Sequence, residues 1–310
     1  MFGATLAMAF SVAVQDPPAQ QVPPLPETSV EEIIVDGRPL GQAAREFVRE
    51  VAAPAGRRGL ALWRGRVCVG VANLSGEAAQ YMADRISTVA EDLGLPIGEP
   101  GCDANALVIF TADAAEAAGQ LIDHDQRIFR VGGGLDRGKS ALERFRTSDA
   151  PVRWWQISIP TDSDTGRRAV RIAGDDTGGG VMESAPTISV FAASRLNSQI
   201  RDDMNRSVVI IDIDDIANVS FEQLTDYVAL VTLAQIDPEA DTSSFTTVLN
   251  IFENPGATPM LSEWDWSYLR ALYGSRGERT SPGSQATEVA RVMTRDRRAA
   301  QIAAADAEQD

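Results

Sequence analysis

The stretch from Ser220 to Gly274 constrains this chain most, because it fixes two helices and the turn between them without supplying a single histidine. It reads S-F-E-Q-L-T-D-Y-V-A-L-V-T-L-A-Q-I-D, then T-T-V-L-N-I-F, then L-S-E-W-D-W-S-Y-L-R-A-L-Y-G. Ser220 with Gln223, and Ser262 with Asp265, have the spacing of capping boxes, in which the serine and the residue three places on satisfy each other's backbone donors. Leu224, Tyr227, Val228, Val231 and Ala234 recur at helical spacing, so the first helix is predicted to bury one face. Asp237-Pro238 ends it, and Gly274 closes the second helix. The whole chain holds one histidine, His124, far upstream.

In the order of its parts this stretch resembles the active-site half of a matrixin-like metzincin. There a helix carries H-E-x-x-H-x-x-G-x-x-H, a turn passes below the metal, and a final helix runs from L-x-x-x-D to L-Y-G. The resemblance puts Asp226, Tyr227, Leu230, Leu233 and Ile236 where His, Glu, His, Gly and His would stand. A catalytic zinc takes about three protein ligands from His, Asp, Glu or Cys. The resemblance therefore implies a scaffold kept and a zinc site lost, with no metal, no cofactor and no catalytic residue expected. Asp226, Tyr227, Leu230 and Ile236 become degenerate cleft positions. The pieces V-C-V-G-V-A-N-L, G-C-D-A-N-A-L-V-I-F-T and P-V-R-W-W-Q resemble a proteobacterial family of exported domains of unknown function with the same degenerate C-terminal half. With the helix–turn–helix they cover roughly residues 60–275. The expected fold class is α+β, a zincin-like mixed sheet with packed helices.

Met1 to Ala13 is apolar and ends in small residues, with Ser11-Val12-Ala13 as a cleavage signal, so the chain is expected to be periplasmic or secreted. The net charge of −16 repels a phosphate backbone, which excludes nucleic acid as the expected partner. No apolar run reaches the length of about 18 residues that a spanning helix needs. A protein or a cell-envelope ligand is left as the expected partner. The two cysteines, Cys68 in R-V-C-V-G-V and Cys102 after E-P-G, agree with export. A disulfide between them would close a loop across a strand–helix–strand unit; the alternative is two separate buried thiols.

Residues 1–27 are read as the signal-like segment and a Pro-rich linker, 28–275 as one α+β domain, and 276–310 as a helical tail. Leu40, Ala43, Ala44, Phe47, Val48 and Val51 predict a first helix. Leu60–Trp63 and Val67–Val71 flank Arg64-Gly65-Arg66, a hairpin or bulge signal. Ser75 caps a helix with Met82, Ile86, Val89, Ala90 and Leu93 on its apolar face, stopped by Gly94. Strands are expected over Ala106–Thr111, Val152–Ile159, Ala169–Ile172, Thr187–Phe191 and Val208–Ile211.

Other constellations bear on chemistry. Gly133 to Ser140 fits G-x-x-x-x-G-K-[ST], so Gly133, Gly138, Lys139 and Ser140 are candidate nucleotide-binding residues, with Ile128–Val131 as the strand that would precede them. Lys139 is the only lysine in the chain. Against this reading, the strand contains Arg130, whereas the strand before a phosphate loop is fully buried. Asp212, Asp214 and Asp215, or Asp175 and Asp176, offer hard oxygen ligands of the kind calcium takes. Trp154, Trp155, Trp264 and Trp266 could line a carbohydrate groove, although strand alternation points only one of Trp154 and Trp155 inward. The leading expectation is an exported, non-catalytic scaffold or binding protein. The alternatives are a metal-independent hydrolase using carboxylates such as Asp226, and a phosphate-loop nucleotide-binding protein.

Overall fold

Apolar spacing becomes packing in the computed structural model, which describes residues 34–35, 37–54, 58–124, 129, 137–169, 199–256, 258–275 and 282–307. A short ribbon of β1 (Ile34–Val35) and β2 (Arg38–Pro39), turned by Gly37 at φ +74°, leads into α1 (Leu40–Val51). All six apolar positions expected on α1 are buried. The chain continues through β3 (Val69–Ala72), α2 (Gly76–Asp92), β4 (Ala106–Thr111), α3 (Ala114–His124), α4 (Lys139–Thr147), β5 (Val152–Asp162) and β6 (Ile200–Asp212). It ends with α5 (Phe221–Leu233), a 3-10 turn at Val248–Asn250, α6 (Glu263–Gly274) and α7 (Pro282–Ala307). Among the described residues the protein is thus α+β, with seven helices and one mixed four-stranded sheet.

The sheet runs in the order β3-β4-β6-β5, with β3, β4 and β6 parallel and β5 antiparallel to β6 at one edge. Helices cover both faces. Val108, Trp154, Val209 and Ile211 point into the larger core with α1, α2, α5, α6 and α7, while Trp155, Val208 and Ile210 point into a smaller core with α3 and α4. Covering both faces corrects one expectation: Trp154 and Trp155 are both buried, one in each core. A strand packed on both sides hides successive residues rather than alternate ones.

The hairpin expected around Arg64-Gly65-Arg66 is also corrected. The Leu62 N–H donates to the Asp202 carbonyl at 3.2 Å, and the Leu62 carbonyl accepts from the Met204 N–H at 2.8 Å. Leu62 therefore bridges to β6 in parallel instead of folding back on β3. Of the residues expected as the strand before the Gly-rich loop, Phe129 is described, and it is helical. Ala169 is described and its N–H donates to the Pro160 carbonyl at 2.9 Å; the rest of the strand expected there, and Thr187–Phe191, lie outside the described residues.

Four buried glutamines fasten what the apolar core leaves polar. Gln156 on β5 donates to the carbonyls of Val231 and Ala234, closing the C-terminal end of α5. Gln223 bonds Pro255 and Thr258, Gln235 accepts from Ala61, and Gln285 of α7 bonds both backbone groups of Leu60. Val289 and Met293 of α7 are fully buried in the larger core, so this terminal helix packs with α1 and α6. Cys68 and Cys102 form a disulfide with Cα atoms 6.1 Å apart and a sequence separation of 34. It ties β3 to the loop before β4 around α2, a closure contributing about 3–4 kcal/mol in the loop-entropy account.

Candidate ligand-binding cleft

Both capping boxes form. Ser220 accepts from the Gln223 N–H at 3.1 Å while the Gln223 amide oxygen accepts from the Ser220 N–H at 3.1 Å, and Ser262 and Asp265 do the same for α6. Asp265 has a further task. Its buried carboxylate accepts from the Thr247 hydroxyl at 2.5 Å and the Val248 N–H at 2.9 Å, so α6 grips the 3-10 turn. Burial pushes this carboxyl above its usual range, opposed by those donors. Upstream, the Asn250 side chain donates to the carbonyls of Thr242 and Phe245 and accepts from the Thr242 hydroxyl. The segment after α5 is held by side chains along most of its length and forms a fixed wall.

That wall faces the edge strand across a cavity of about 1060 Å³. Pro151 and Val152 to Trp155 of β5 lie on one side, α4 contributes Ala141, Arg144 and Phe145, and Asp237 to Asn254 supply much of the rest. Trp154, Tyr227 and Phe252 form an aromatic cluster at the α5 side, with edge contacts of 6.0 Å and 5.1 Å between ring centres. Burial raises the Tyr227 phenol above its usual range. The Trp154 indole donates to the Ile236 carbonyl at 3.0 Å, which fixes the ring. Two ion pairs join the α4 side to the opposite wall, Arg137 to Asp237 at 3.0 Å and Arg144 to Glu239 at 3.1 Å.

The direction of the β5 backbone follows from its pairing. The Pro151 carbonyl accepts from the Asp212 N–H, so the odd-numbered residues from Pro151 to Ile157 are the ones bonded to β6. The N–H and C=O groups of Val152 and Trp154 then point away from the sheet, and no described residue pairs with them. Among the described residues, the outer edge is covered farther along, where Arg168 bridges to Thr161.

Of the degenerate cleft positions, the structure brings only Tyr227 to the cavity. Leu230 and Ile236 are each 1% exposed in the larger core. Asp226, expected to face the groove, is 2% exposed and does not line it. Its oxygens accept from Arg85 of α2 at 2.7 Å and 3.0 Å and from the Leu261 N–H at 2.7 Å, which binds α2, α5 and the start of α6 together. The same hydrogen bond raises the Arg85 pKa. Gly133 lies outside the described residues. Gly138 caps α4 at φ +86°, and Lys139 and Ser140 are exposed in its first turn. Asp212, one of the acids offered as a calcium ligand, accepts from the Ala114 N–H at the start of α3 and from the Asp214 N–H. Asp175 and Asp176 lie outside the described residues; among those described, no group of three or more His, Cys, Asp or Glu is placed to hold a metal ion. His124 is exposed at the end of α3. No described helix is long and apolar enough to cross a membrane.

Sequence reasoning missed Arg153, which is 5% exposed and lines the cavity. The signal was present in V-R-W-W-Q, a charged residue set among aromatics in a strand. Set against protein-family models, curated proteins and solved structures, the chain finds no match in any of the three.

Proposed function

We propose that this is an exported, non-catalytic binding protein on a zincin-like scaffold, and that its cleft takes an extended segment of a protein partner. One observation carries the reading: a cavity of about 1060 Å³ runs beside an edge strand whose outward backbone groups at Val152 and Trp154 are unpaired among the described residues. An extended peptide entering there would add a strand to β5, backbone bonds giving affinity and side-chain pockets giving selectivity. The aromatic cluster at Tyr227 supplies one such pocket, and the fixed wall lowers the ordering cost of binding. The zincin-like part rests on arrangement. An antiparallel edge strand borders the groove, α5 follows the neighbouring strand in sequence and packs on the sheet, and a turn gripped by α6 packs against α5. Packing occupies Leu230 and Ile236, and Asp226 is committed to Arg85, which favours binding over carboxylate catalysis.

The test is a displayed library of random ten-residue peptides, with the selected peptides titrated into isotope-labelled protein and metal content measured on the same preparation. The expected result is selected peptides that shift the amide resonances of Val152 and Trp154, on protein without stoichiometric zinc. Zinc at one per chain, or peptides that leave those amides unmoved, would overturn the reading.

A further inference from the structure

Arg153 is a buried cation with too few partners. It sits on the α4 side of β5, in the same face as Trp155, and its guanidinium makes one hydrogen bond, from Nη1 to the Arg146 carbonyl at 3.2 Å. Its Nε is buried without a partner, and no described carboxylate lies within ion-pair distance. Of the acids on the cavity wall, Asp237 holds Arg137, Glu239 holds Arg144 and Asp241 accepts from Ser243, while Glu253 is exposed and faces Tyr227. Asp212, Asp149, Asp113 and Asp215 face Arg153 from farther off and favour its charged form, while burial outweighs them and lowers its pKa. A buried guanidinium left this way costs stability that a paired carboxylate would return.

We infer that Arg153 is the receptor for a carboxylate on the ligand, placed in the cavity beside the open edge of β5. The inference rests on the peptide-binding reading and narrows its ligand class to segments that carry a carboxylate near the pairing backbone, from an acidic side chain or a free C-terminus. Two oxygens of one carboxylate match the guanidinium fork, whereas an amide or an ammonium does not. A purely structural Arg153, capping the last turn of α4 through Arg146, predicts the opposite response to substitution.

The deciding probe is sodium benzoate, titrated into the full chain against sodium chloride at equal ionic strength, with the side-chain Nε–H resonance of Arg153 as readout. Benzoate should shift it saturably and chloride should not. R153M should abolish that binding while its melting temperature in the absence of ligand holds or rises, and R153K should bind at least tenfold more weakly than the parent. A benzoate titration that leaves the resonance unmoved overturns the carboxylate site even where peptides bind, as does R153M that melts lower yet binds benzoate undiminished. Where benzoate binds and no peptide does, the site stands and the edge-strand reading falls. Among bound peptides, those that lose affinity on C-terminal amidation identify the terminus as the source, and those that lose it on Glu-to-Gln replacement identify a side chain.

Discussion

Asp226 and Leu230 stand one helical turn apart on α5, and substitution of either should weaken the fold, for different reasons. Leu230→His puts an imidazole into a site 1% exposed; loss of the leucine alone costs about 2–5 kcal/mol, and burying a polar ring adds to it. Denaturant unfolding should show a clearly lower midpoint, and a neutral result would mean that Leu230 is not in the core. For Asp226→Asn, the metzincin resemblance implied a cleft-facing position, where the change would cost little. The structure reverses this, because the amide would replace a carboxylate that accepts from Arg85 and Leu261. With the Arg85 side chain 29% exposed, the loss should be about 1.5–3 kcal/mol, in the range of a hydrogen bond to a charged group. A double-mutant cycle with Arg85→Met should return most of that as coupling energy, and additive losses would show that the pair contributes little.

Helices were legible here because their signals are local. The apolar positions of α1, the stop at Gly94 and the two capping boxes can each be read within a few residues, and each is found, whereas Ser75 stands at the N-cap of α2 without a side-chain capping bond. Strand pairing was less so, since Leu62 meets Asp203 across a long stretch of chain and nothing within Leu60–Trp63 names that partner. The cleft was legible only in part. Tyr227 came from the metzincin resemblance, but Arg153 acquires its meaning from α4, which covers the second face of the sheet. Ser262→Ala tests the most interdependent of these local signals. A lost cap typically costs ~1 kcal/mol, and here the loss should be larger, because Ser262 also donates to the Thr246 carbonyl at 2.7 Å beside the turn that Asp265 holds. Chemical denaturation of S262A gives the number; a loss below 0.5 kcal/mol (roughly the low end for caps) would show that the turn is held without it.

At the scale of the whole molecule, two bulk measurements bear on how the parts cohere. The phenols of Tyr227 and Tyr268 are buried, and burial raises both pKa values above the unfolded value of about 10. A raised folded pKa contributes stability that is complete below pH ~10 and is lost as pH climbs toward the folded value. Unfolding free energy should therefore fall between pH 9.5 and 11.5 (about the window around the tyrosine pKa), and the late rise in tyrosinate absorbance should coincide with loss of helical circular dichroism. Titration well before unfolding would mean the rings are accessible. The disulfide should leave no reactive thiol in the unfolded, non-reduced chain; two thiols would contradict it. The unequal division of the interior has a consequence of its own. The α3–α4 layer rests on the smaller apolar cluster, whereas α5 and α6 share the larger one with three other helices. Parts of a protein with fewer buried contacts open first, well below the global unfolding free energy. Amide hydrogen exchange should therefore run faster in α4 than in α5, so that the chamber breathes from one wall while the other keeps its shape.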